Sequence, residues 1–328
     1  MSEGRVRRVL ERAGVSAGLV SCRGLSGGTY NAVEEVLLDD GSRYVLKTPP
    51  PEAVPGLRHE RDLLVSEAEF YRAAAAAGVP VPRVVAASFD ASGPLGRYLL
   101  MTACPGDMWG SAFTAEEQGA LRAELGRHVA LLHRVPGPGF GYPSGALGPL
   151  AADWGSAFRG MYAAVLDDAR RYGARLPRSV DDVARTAARA YGALDEVAVP
   201  RLVHFDLWRG NILVERPAGP DGAPGIGGLI DGERMFWGDP VADFVSLAVL
   251  GDIEQDRDFL TGYQEVGGRV EFDRPARLRL ALYRSYLYLI MLVETVPRDM
   301  GAEHDAWLRD RVAPELVAAL DELDGPAR

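Results

Sequence analysis

The feature that most constrains this chain is the segment L-V-H-F-D-L-W-R-G-N-I-L-V at residues 202–214, in which a short loop separates two apolar stretches. Asp206 stands five residues before Asn211 in this loop. An Asp so placed can accept the proton of a substrate hydroxyl, and an Asn side-chain oxygen can bind a Mg²⁺ on nucleotide phosphates. The spacing alone also occurs by chance, so its surroundings decide its weight. We predict that Asp206 is a catalytic base and that Asn211 is a metal ligand.

A second acidic segment follows at residues 228–233, G-L-I-D-G-E, where an apolar strand ends at Asp231. Phosphoryl transferases hold at such a place the carboxylate that binds Mg²⁺ and bridges it to the phosphates. The segment therefore predicts Asp231 as a metal ligand. We expect Glu233 to reach a second Mg²⁺, either directly or through water.

Lys47 is the only lysine in the chain, and the letters Y-V-L-K predict a β-strand that delivers it. A compact ammonium suits phosphate oxygens, whereas an arginine would present a larger fork. The alternative is a solvated surface lysine. A lysine that binds phosphate needs a carboxylate to fix its position, and the predicted helix 58–77 offers Glu60, Glu67 and Glu69. We favour Glu67, with Glu69 as the alternative.

A glycine turn lies between two predicted strands ahead of the Lys47 strand, and it consists of Ser26, Gly27, Gly28 and Thr29. The backbone N–H groups of such a turn can lie against phosphate oxygens. Residues of these types also occur in ordinary β-hairpins, so the interpretation rests on the position of the turn next to the Lys47 strand. We predict that these four residues cover the nucleotide phosphates.

Three other polar residues near these segments are predicted to have structural roles. His204 precedes Asp206 by two residues, and we expect it to hydrogen-bond the loop. His133 ends an A-L-L-H helix segment and is also expected to be structural. Asp243 begins a helix after a G-D-P turn, and we expect it to brace the catalytic loop or to cap that helix.

Composition limits the class of protein. At 328 residues, with 47% hydrophobic and 25% charged residues, the chain can bury a sizeable core and form two lobes. No apolar run reaches the length of a membrane span, and the N-terminal segment lacks the apolar core of a signal peptide. Two cysteines predict neither a disulfide framework nor a metal cluster. We expect a cytoplasmic enzyme, either a monomer or a homodimer.

Charge is distributed unevenly along the chain. Residues 1–102 contain 12 acidic and 12 basic side chains, so the whole net charge of −10 lies beyond residue 102. Such a surface disfavours nucleic acid and anionic membranes as partners. It suits a cationic small-molecule substrate, and the alternative is that the acidity only maintains solubility.

Strand and turn signals dominate up to Met101, with the helix 58–77 between them, and helical patterns dominate afterwards. The predicted helices outside 58–77 are 3–14, 115–134, 154–172, 179–197 and several from residue 242 to the end. We therefore predict an α+β fold with two lobes. Residues 1–102 would form a small β-rich nucleotide-binding domain, and residues 103–328 a larger, mainly helical catalytic and substrate-binding domain.

Together these motifs carry a family resemblance over nearly the full length. The glycine turn, V-L-K, the helix glutamate, V-P-V-P-R-V, L-L-M-T-A-C-P-G, A-L-L-H, H-F-D-L-W-R-G-N-I-L-V and L-I-D-G-E-R-M-F-W-G-D-P-V-A-D-F all contribute. The chain resembles the aminoglycoside phosphotransferases, kinase-like small-molecule kinases whose relatives include fructosamine and choline kinases. The resemblance implies a protein-kinase-like fold and Mg²⁺-dependent transfer of the γ-phosphate of ATP or GTP to a hydroxyl of a small molecule.

The resemblance also implies that the hinge main chain at Thr102 and Cys104 binds the purine, with Met101 behind it. Two positions depart from the family pattern. Phe205 stands where a glycine usually precedes the catalytic Asp, and Gly232 stands where an aromatic residue or Leu often follows the metal-binding Asp. Neither change removes a reactive group.

The acceptor is expected to bind in the second lobe, where acidic residues and aromatic rings are available. The candidate contacts are Trp154, Asp252, Glu254 and Glu294. An aminoglycoside or another antibiotic is the favoured acceptor, which would make the protein a resistance enzyme. The alternatives are a metabolic kinase for a ketosamine or amino sugar, and a pseudokinase that binds nucleotide without turnover. The complete set of Lys47, Asp206, Asn211 and Asp231 argues against the pseudokinase.

Overall fold

The computed structural model describes residues 3–25, 30–51, 54–110, 112–216 and 222–325. The N-terminal part contains a five-stranded antiparallel sheet in the order β1-β2-β3-β5-β4. Its strands are β1 (Leu19–Gly24), β2 (Ala32–Leu38), β3 (Arg43–Thr48), β4 (Val84–Ser88) and β5 (Tyr98–Thr102).

The two faces of this sheet pack against different helices. Successive residues of a strand point to opposite faces, and β5 shows this alternation clearly. Tyr98 and Leu100 join the apolar cluster under helix α1 (Glu3–Arg12). Leu99 and Met101 instead join the large cluster that also contains the apolar side of helix α2 (Leu63–Ala76). The sheet is therefore a two-sided layer that holds Lys47 and the α2 carboxylates on one side.

The predicted helix 58–77 is broken in the structure, which corrects that prediction. A 3₁₀ turn at Arg58–Glu60 precedes α2, and Asp62 between them has a left-handed backbone with φ of 59°. Asp is one of the residues that tolerate this conformation. The 3₁₀ turn is held from outside, because the Arg58 amide donates a hydrogen bond of 2.8 Å to Oδ2 of Asp168.

The remaining chain is mainly helical, so the predicted α+β class with a β-rich first part and a helical second part is confirmed. Its helices are α3 (Ala115–Leu132), α4 (Trp154–Tyr172), α5 (Val180–Ala188), α6 (Asp243–Leu247), α7 (Arg257–Glu265), α8 (Arg274–Arg298), α9 (Ala302–Trp307) and α10 (Ala313–Asp324). The predicted helix 179–197 is shorter, because α5 ends at Ala188 and a separate 3₁₀ turn follows at Tyr191–Glu196. None of the described helices is long and apolar enough to cross a membrane.

Two small sheets in this region carry the loops with the acidic motifs. One pairs β7 (Arg201–Val203) with β10 (Phe236–Gly238), and the other joins β6 (Asp107–Met108), β8 (Ile212–Glu215) and β9 (Gly225–Leu229). The Asp206 loop connects β7 to β8, and the Asp231 loop connects β9 to β10. Because β8 pairs with β9 and β7 pairs with β10, the two loops emerge side by side.

The large sheet ends at Thr102, and the division into two domains after residue 102 stays a prediction. One continuous cluster of buried apolar side chains extends across this position, from Leu57 and Phe70 to Leu323. Helix α8 runs through this cluster and buries Tyr283 and Tyr286 among other aromatic rings.

Candidate active site

The Asp206 loop is held by hydrogen bonds to its backbone. Both oxygens of Asp243 accept from it, Oδ2 from the amide of His204 at 3.1 Å and Oδ1 from the amide of Phe205 at 2.6 Å. The Asn211 side-chain nitrogen donates to the Asp206 carbonyl oxygen at 2.8 Å and lies 3.2 Å from Oδ2 of Asp206. Asp243 therefore braces the loop, as one of the two predicted alternatives states.

The two histidines have structural surroundings, as predicted. Nε2 of His204 lies 2.9 Å from the carbonyl oxygen of Ile230, which ties the Asp206 loop to the Asp231 loop. His133 places its ring nitrogens 3.0 Å from Oδ2 of Asp243 and 2.9 Å from the hydroxyl of Tyr263. The His204 ring therefore joins the two loops, and the His133 ring supports Asp243.

Phe205, the first departure from the family pattern, has a left-handed backbone with φ of 63°. This conformation favours glycine, since a Cβ is crowded there. The side chain is fully buried, with ring centroids 5.0 Å from Phe236 and 5.7 Å from Tyr286. Aromatic packing therefore holds a residue in a conformation that glycine would adopt without strain.

Gly232, the second departure, is explained by a ring from α2. A Cβ built at Gly232 would overlap the ring of Phe70. Phe70 packs its ring at 4.8 Å and 79° to that of His204. The space beside the Asp231 loop is thus filled by an aromatic side chain that comes from a distant part of the sequence.

Lys47 lies between two carboxylates. Its Nζ donates to Oε1 of Glu67 at 2.7 Å and also contacts Oδ1 of Asp231. Tyr71 donates its hydroxyl to the same Oε1 at 2.7 Å and accepts the amide of Asp231 at 2.9 Å. Burial lowers the pKa of Lys47, but the two carboxylates outweigh it and hold the pKa well above its usual value. The ammonium is therefore charged and fixed.

The sequence analysis proposed three helix carboxylates as partners for Lys47, and the structure selects Glu67. Glu69 instead accepts a hydrogen bond of 2.7 Å from Nε1 of Trp237. Glu60 contacts Arg298 at the end of α8. The surface alternative for Lys47 is also excluded, because the lysine is only 6% exposed.

Glu233 joins the same group of charges. Its Oε2 accepts a hydrogen bond of 2.6 Å from the side-chain nitrogen of Asn31, the residue that precedes β2. Burial and the negative charge of Asp231 raise the pKa of Glu233 to about 8, against the opposing effect of Lys47. Two carboxylates and the Asn211 amide thus offer hard oxygen donors that fit a Mg²⁺ bound together with phosphates. Oε2 of Glu67 is buried and has no hydrogen-bond partner among the residues that the structure describes, so it adds a further acceptor to this acidic group.

At the predicted hinge, Met101 is a buried residue of β5 on the face of the sheet that packs against the large apolar cluster. The amide of Thr102 donates to the carbonyl of Arg83 at 3.0 Å, and the Thr102 hydroxyl accepts the Arg83 amide at 3.0 Å. The Thr102 N–H is therefore engaged, which leaves its carbonyl oxygen as the group it could offer to a purine. Cys104 is half-buried, and burial raises the pKa of its thiol to about 11. Ser26, Gly27, Gly28 and Thr29 of the predicted phosphate turn lie outside the described residues.

The four residues predicted to contact the acceptor do not lie together in the structure. Trp154 is 1% exposed, donates from Nε1 to the Tyr283 hydroxyl at 2.7 Å and stacks on Phe236. Its ring has no free face, so its role is packing and not acceptor binding. Asp252 and Glu254 line a separate surface cavity of about 210 Å³.

This cavity is not the acidic site that the sequence predicted. Glu254 forms an ion pair of 2.7 Å with Arg277, and Asp252 accepts the Glu254 amide at 2.9 Å. Within the described part of the chain, neither carboxylate contacts Asp206. The prediction that these two residues bind the acceptor beside the catalytic base is therefore corrected.

Glu294 does lie near Asp206, through a residue that the sequence analysis missed. Arg234 donates to Oε2 of Glu294 at 2.6 Å, and its Nε lies 3.8 Å from Oδ2 of Asp206. Burial raises the pKa of Asp206 to about 7, Arg234 lowers it, and Asp231 and Glu294 raise it. The available signal was the position of Arg234, three residues after Asp231 in the same motif.

Trp208 is a second missed residue. It lies two residues after Asp206 and is 51% exposed, which is unusual for so large a ring. A Cβ at Gly210 would overlap the Trp208 ring, so the glycine of the loop leaves the ring its place. An exposed aromatic face beside the base is a surface on which an acceptor could lie.

Comparisons with known proteins bear on the family and the fold. The family model described as the phosphotransferase enzyme family matches residues 21–283. A candidate fructosamine-3-kinase from Thermobifida fusca YX-ER1 has a TM-score of 0.63 at 23% identity, covering 96% of this chain and 98% of that one. A thermostable mutant of the aminoglycoside phosphotransferase APH(4)-Ia, in a ternary complex with AMP-PNP and hygromycin B, has a TM-score of 0.65 at 17% identity, covering 97% and 98%. The macrolide 2′-phosphotransferase MphH from Brachybacterium faecium has a TM-score of 0.56 at 20% identity, covering 95% and 97%.

Proposed function

The chain belongs to the phosphotransferase enzyme family, and we propose that it transfers the γ-phosphate of ATP or GTP to a hydroxyl group of a small molecule. The observation that carries this proposal is the convergence of one cation and the catalytic-loop groups through a continuous set of contacts. Lys47, held by Glu67, contacts Asp231, and the Asp231 loop is bonded to the loop of Asp206 and Asn211.

Each of these residues has a role that follows from its contacts. Asp206 takes up the proton of the acceptor hydroxyl while the acceptor oxygen forms its bond to the γ-phosphorus and the bond to the nucleoside diphosphate breaks. A pKa of about 7 suits a group that must gain a proton during the reaction. Lys47 binds phosphate oxygens, and Glu67 and Tyr71 fix its place.

The metal site follows from the same group. Asn211, Asp231 and Glu233 would hold Mg²⁺, which when bound neutralises charge on the phosphates. Asp231 is paired with Lys47. Phosphate oxygens would compete for Lys47, which would free Asp231 as a metal ligand. The purine would lie at the hinge, with the carbonyl of Thr102 and the main chain of Cys104 as partners and Met101 behind it.

Two acceptor classes stand as candidates. An aminoglycoside or another antibiotic is favoured, since the negative charge of the second lobe suits a polyamine-like acceptor. Of the three predicted acidic acceptor contacts, Glu294 is the one that Arg234 links to the base, but its charge is shared with Arg234 and Arg298. The second candidate is a ketosamine or amino-sugar kinase, which the exposed Trp208 beside Asp206 favours because sugar rings lie well on aromatic faces.

A panel assay separates these candidates. Purified protein with Mg²⁺ and either ATP or GTP is given aminoglycosides, macrolides, ketosamines and amino sugars, and release of the nucleoside diphosphate is measured. We expect acceptor-dependent turnover with one class, lost on chelation of Mg²⁺. Expression in a susceptible bacterial strain then tests whether the acceptor is an antibiotic that the protein inactivates.

The Asp206→Ala variant is the control for the mechanism. Removing a positioned base lowers the rate by roughly 10²–10⁴-fold, whereas calorimetry should show nucleotide binding close to that of the unchanged protein. Transfer by this variant within a few-fold of the original rate would contradict the assignment of Asp206.

A further inference from the structure

Five charged side chains of alternating sign form a row that starts at the catalytic base. We call this the ion-pair row, and its members in order are Asp206, Arg234, Glu294, Arg298 and Glu60. Arg234 lies 3.8 Å from Asp206 and 2.6 Å from Glu294, and Glu294 lies 3.3 Å from Arg298. Arg298 contacts Glu60. The row connects the Asp206 loop, the Asp231 loop, the end of α8 and the 3₁₀ turn before α2.

The members of the row beyond Asp206 are largely buried, with side chains at most 15% exposed. Charges interact more strongly where water is excluded, and a buried charge that loses its partner is costly. The far end is also fixed, because Oε2 of Glu60 accepts the amide of Leu57 at 2.8 Å. Arg234 is therefore confined between Glu294 and Asp206.

The side chains of Asn211 and Arg234 both approach the same oxygen of the Asp206 carboxylate, Oδ2. The Asn211 side-chain nitrogen lies 3.2 Å from Oδ2, and Nε of Arg234 lies 3.8 Å from Oδ2. Among the residues that the structure describes, no donor reaches Oδ1. An anchored Oδ2 leaves Oδ1 as the oxygen that can receive a proton.

We infer that Arg234 is a positioning residue for phosphoryl transfer, which together with Asn211 anchors Oδ2 of Asp206 and presents Oδ1 to the acceptor hydroxyl. This inference rests on the proposed role of Asp206 as base. Glu294 acts one step further away, because it fixes the guanidinium. Arg234 touches Asp206 and is not required to touch the nucleotide, so its loss changes the rate of transfer and not the affinity for MgATP.

The test uses MgATP alone, with water in the place of the acceptor, because basal hydrolysis needs no identified acceptor. Misplacement of a reacting group by about 1 Å can cost on the order of 10²-fold in rate. We expect Arg234→Met to lower the kcat of hydrolysis by at least about tenfold and to leave KM for MgATP within about threefold. Arg234→Lys keeps a positive charge in the same place, and it should recover much of the loss.

A matched control comes from another arginine in an ion pair. Arg178, which lies two residues before α5, pairs with Asp324 of α10, its Nη1 3.1 Å from Oδ2 with the side chain 19% exposed. Arg178→Met should lower the midpoint of thermal unfolding but leave kcat unchanged. If Arg234→Met lowers only the unfolding midpoint and keeps its kcat, Arg234 is structural and the inference is wrong.

Two further measurements keep the outcomes separate. Asp206→Ala in the same assay tests the proposed function, because retained hydrolysis would show that Asp206 is not the base. If Asp206→Ala loses hydrolysis but Arg234→Met keeps it, only the inference about Arg234 is overturned. A double-mutant cycle of Asp206→Asn and Arg234→Met, followed by urea unfolding, tests the contact itself. We expect the two effects on the unfolding equilibrium constant to be non-additive by at least about threefold, and additive effects would also overturn the inference.

Discussion

The left-handed backbone of Phe205 leads to an unusual order of stability among its variants. At most buried positions alanine is the better replacement, because glycine gives the unfolded chain more freedom. Where φ is positive the order reverses, and Ala is less stable than Gly by more than the roughly 0.4–1 kcal/mol that it gains elsewhere. Since φ of Phe205 is 63°, we expect Phe205→Gly to be more stable than Phe205→Ala.

The size of both effects follows from the packing of the ring. Phe205 is fully buried against Phe236 and Tyr286, and removing such a ring costs about 3–5 kcal/mol through lost contacts and a cavity. Both variants should lose an amount of that order in the free energy of unfolding. The glycine variant should remain about 1 kcal/mol above the alanine variant, because it alone relieves the crowding of the Cβ.

Urea unfolding at neutral pH measures this order, provided that both variants show the same dependence on urea concentration. Phe158 supplies the control, because it is equally buried, packs on Tyr286 at 5.1 Å and lies inside α4 with an ordinary helical backbone. In a helix Gly is about 1 kcal/mol less favourable than Ala. Phe158→Ala should therefore be the more stable of that pair. If the free energy of unfolding of Phe205→Ala equals or exceeds that of Phe205→Gly, the reasoning is refuted.

Three other predictions concern the metal group, the Gly232 contact and a buried histidine. Asp231→Asn and Asn211→Ala should weaken nucleotide binding with Mg²⁺ more than without it, since each removes a charge or a hard oxygen ligand; calorimetry with the same metal dependence as the unchanged protein would exclude the pair. Gly232→Ala should destabilise the protein by about 1–3 kcal/mol, because the added Cβ would overlap the ring of Phe70. Adding Phe70→Leu should recover part of the lost stability in thermal unfolding. Purely additive losses from the two substitutions would contradict the contact. Burial, aided by Arg234 and Arg298, lowers the pKa of His59 to about 3. In the unfolded chain the His59 imidazole keeps its usual pKa of about 6.5, so below that pH the unfolded chain binds a proton that the folded protein does not. Each pH unit of acidification then lowers the free energy of unfolding by up to about 1.4 kcal/mol. His59→Phe, which keeps a ring against Tyr142, should lose less stability between neutral pH and pH about 5, and an equal loss in both proteins would assign the acid sensitivity elsewhere.

The sequence predicted those parts of the site that depend on local spacing. Asp206 and Asn211 share one loop, and Asp231 ends the next strand, so their common placement follows from the pairing of β8 and β9. The contact between Lys47 and Glu67 was predicted as well, because a phosphate-binding lysine needs a carboxylate to fix its position and the next helix offers one in its middle. Their roles in binding nucleotide and metal stay predictions.

The parts that the sequence did not predict depend on contacts between distant segments. The contact of Glu60 with Arg298 spans 238 residues, and no local pattern indicates it. Trp154 was expected at the acceptor site because exposed and buried tryptophans look alike in a sequence. The break at Asp62 was missed for a similar reason, since the bond from Arg58 to Asp168 that holds the preceding turn comes from α4.

The two departures from the family pattern have a common explanation in aromatic packing. His204 meets the ring of Phe70 from α2, and Phe205 packs between Phe236 and Tyr286. Two consecutive residues before the catalytic base are therefore fixed by rings from three separate elements. A smaller residue at 232 makes room for Phe70, and a larger one at 205 fills the core below the loop. It follows that the placement of Asp206 depends on side chains of α2 and α8, so substitutions in these helices should change the rate of transfer although they touch neither nucleotide nor acceptor.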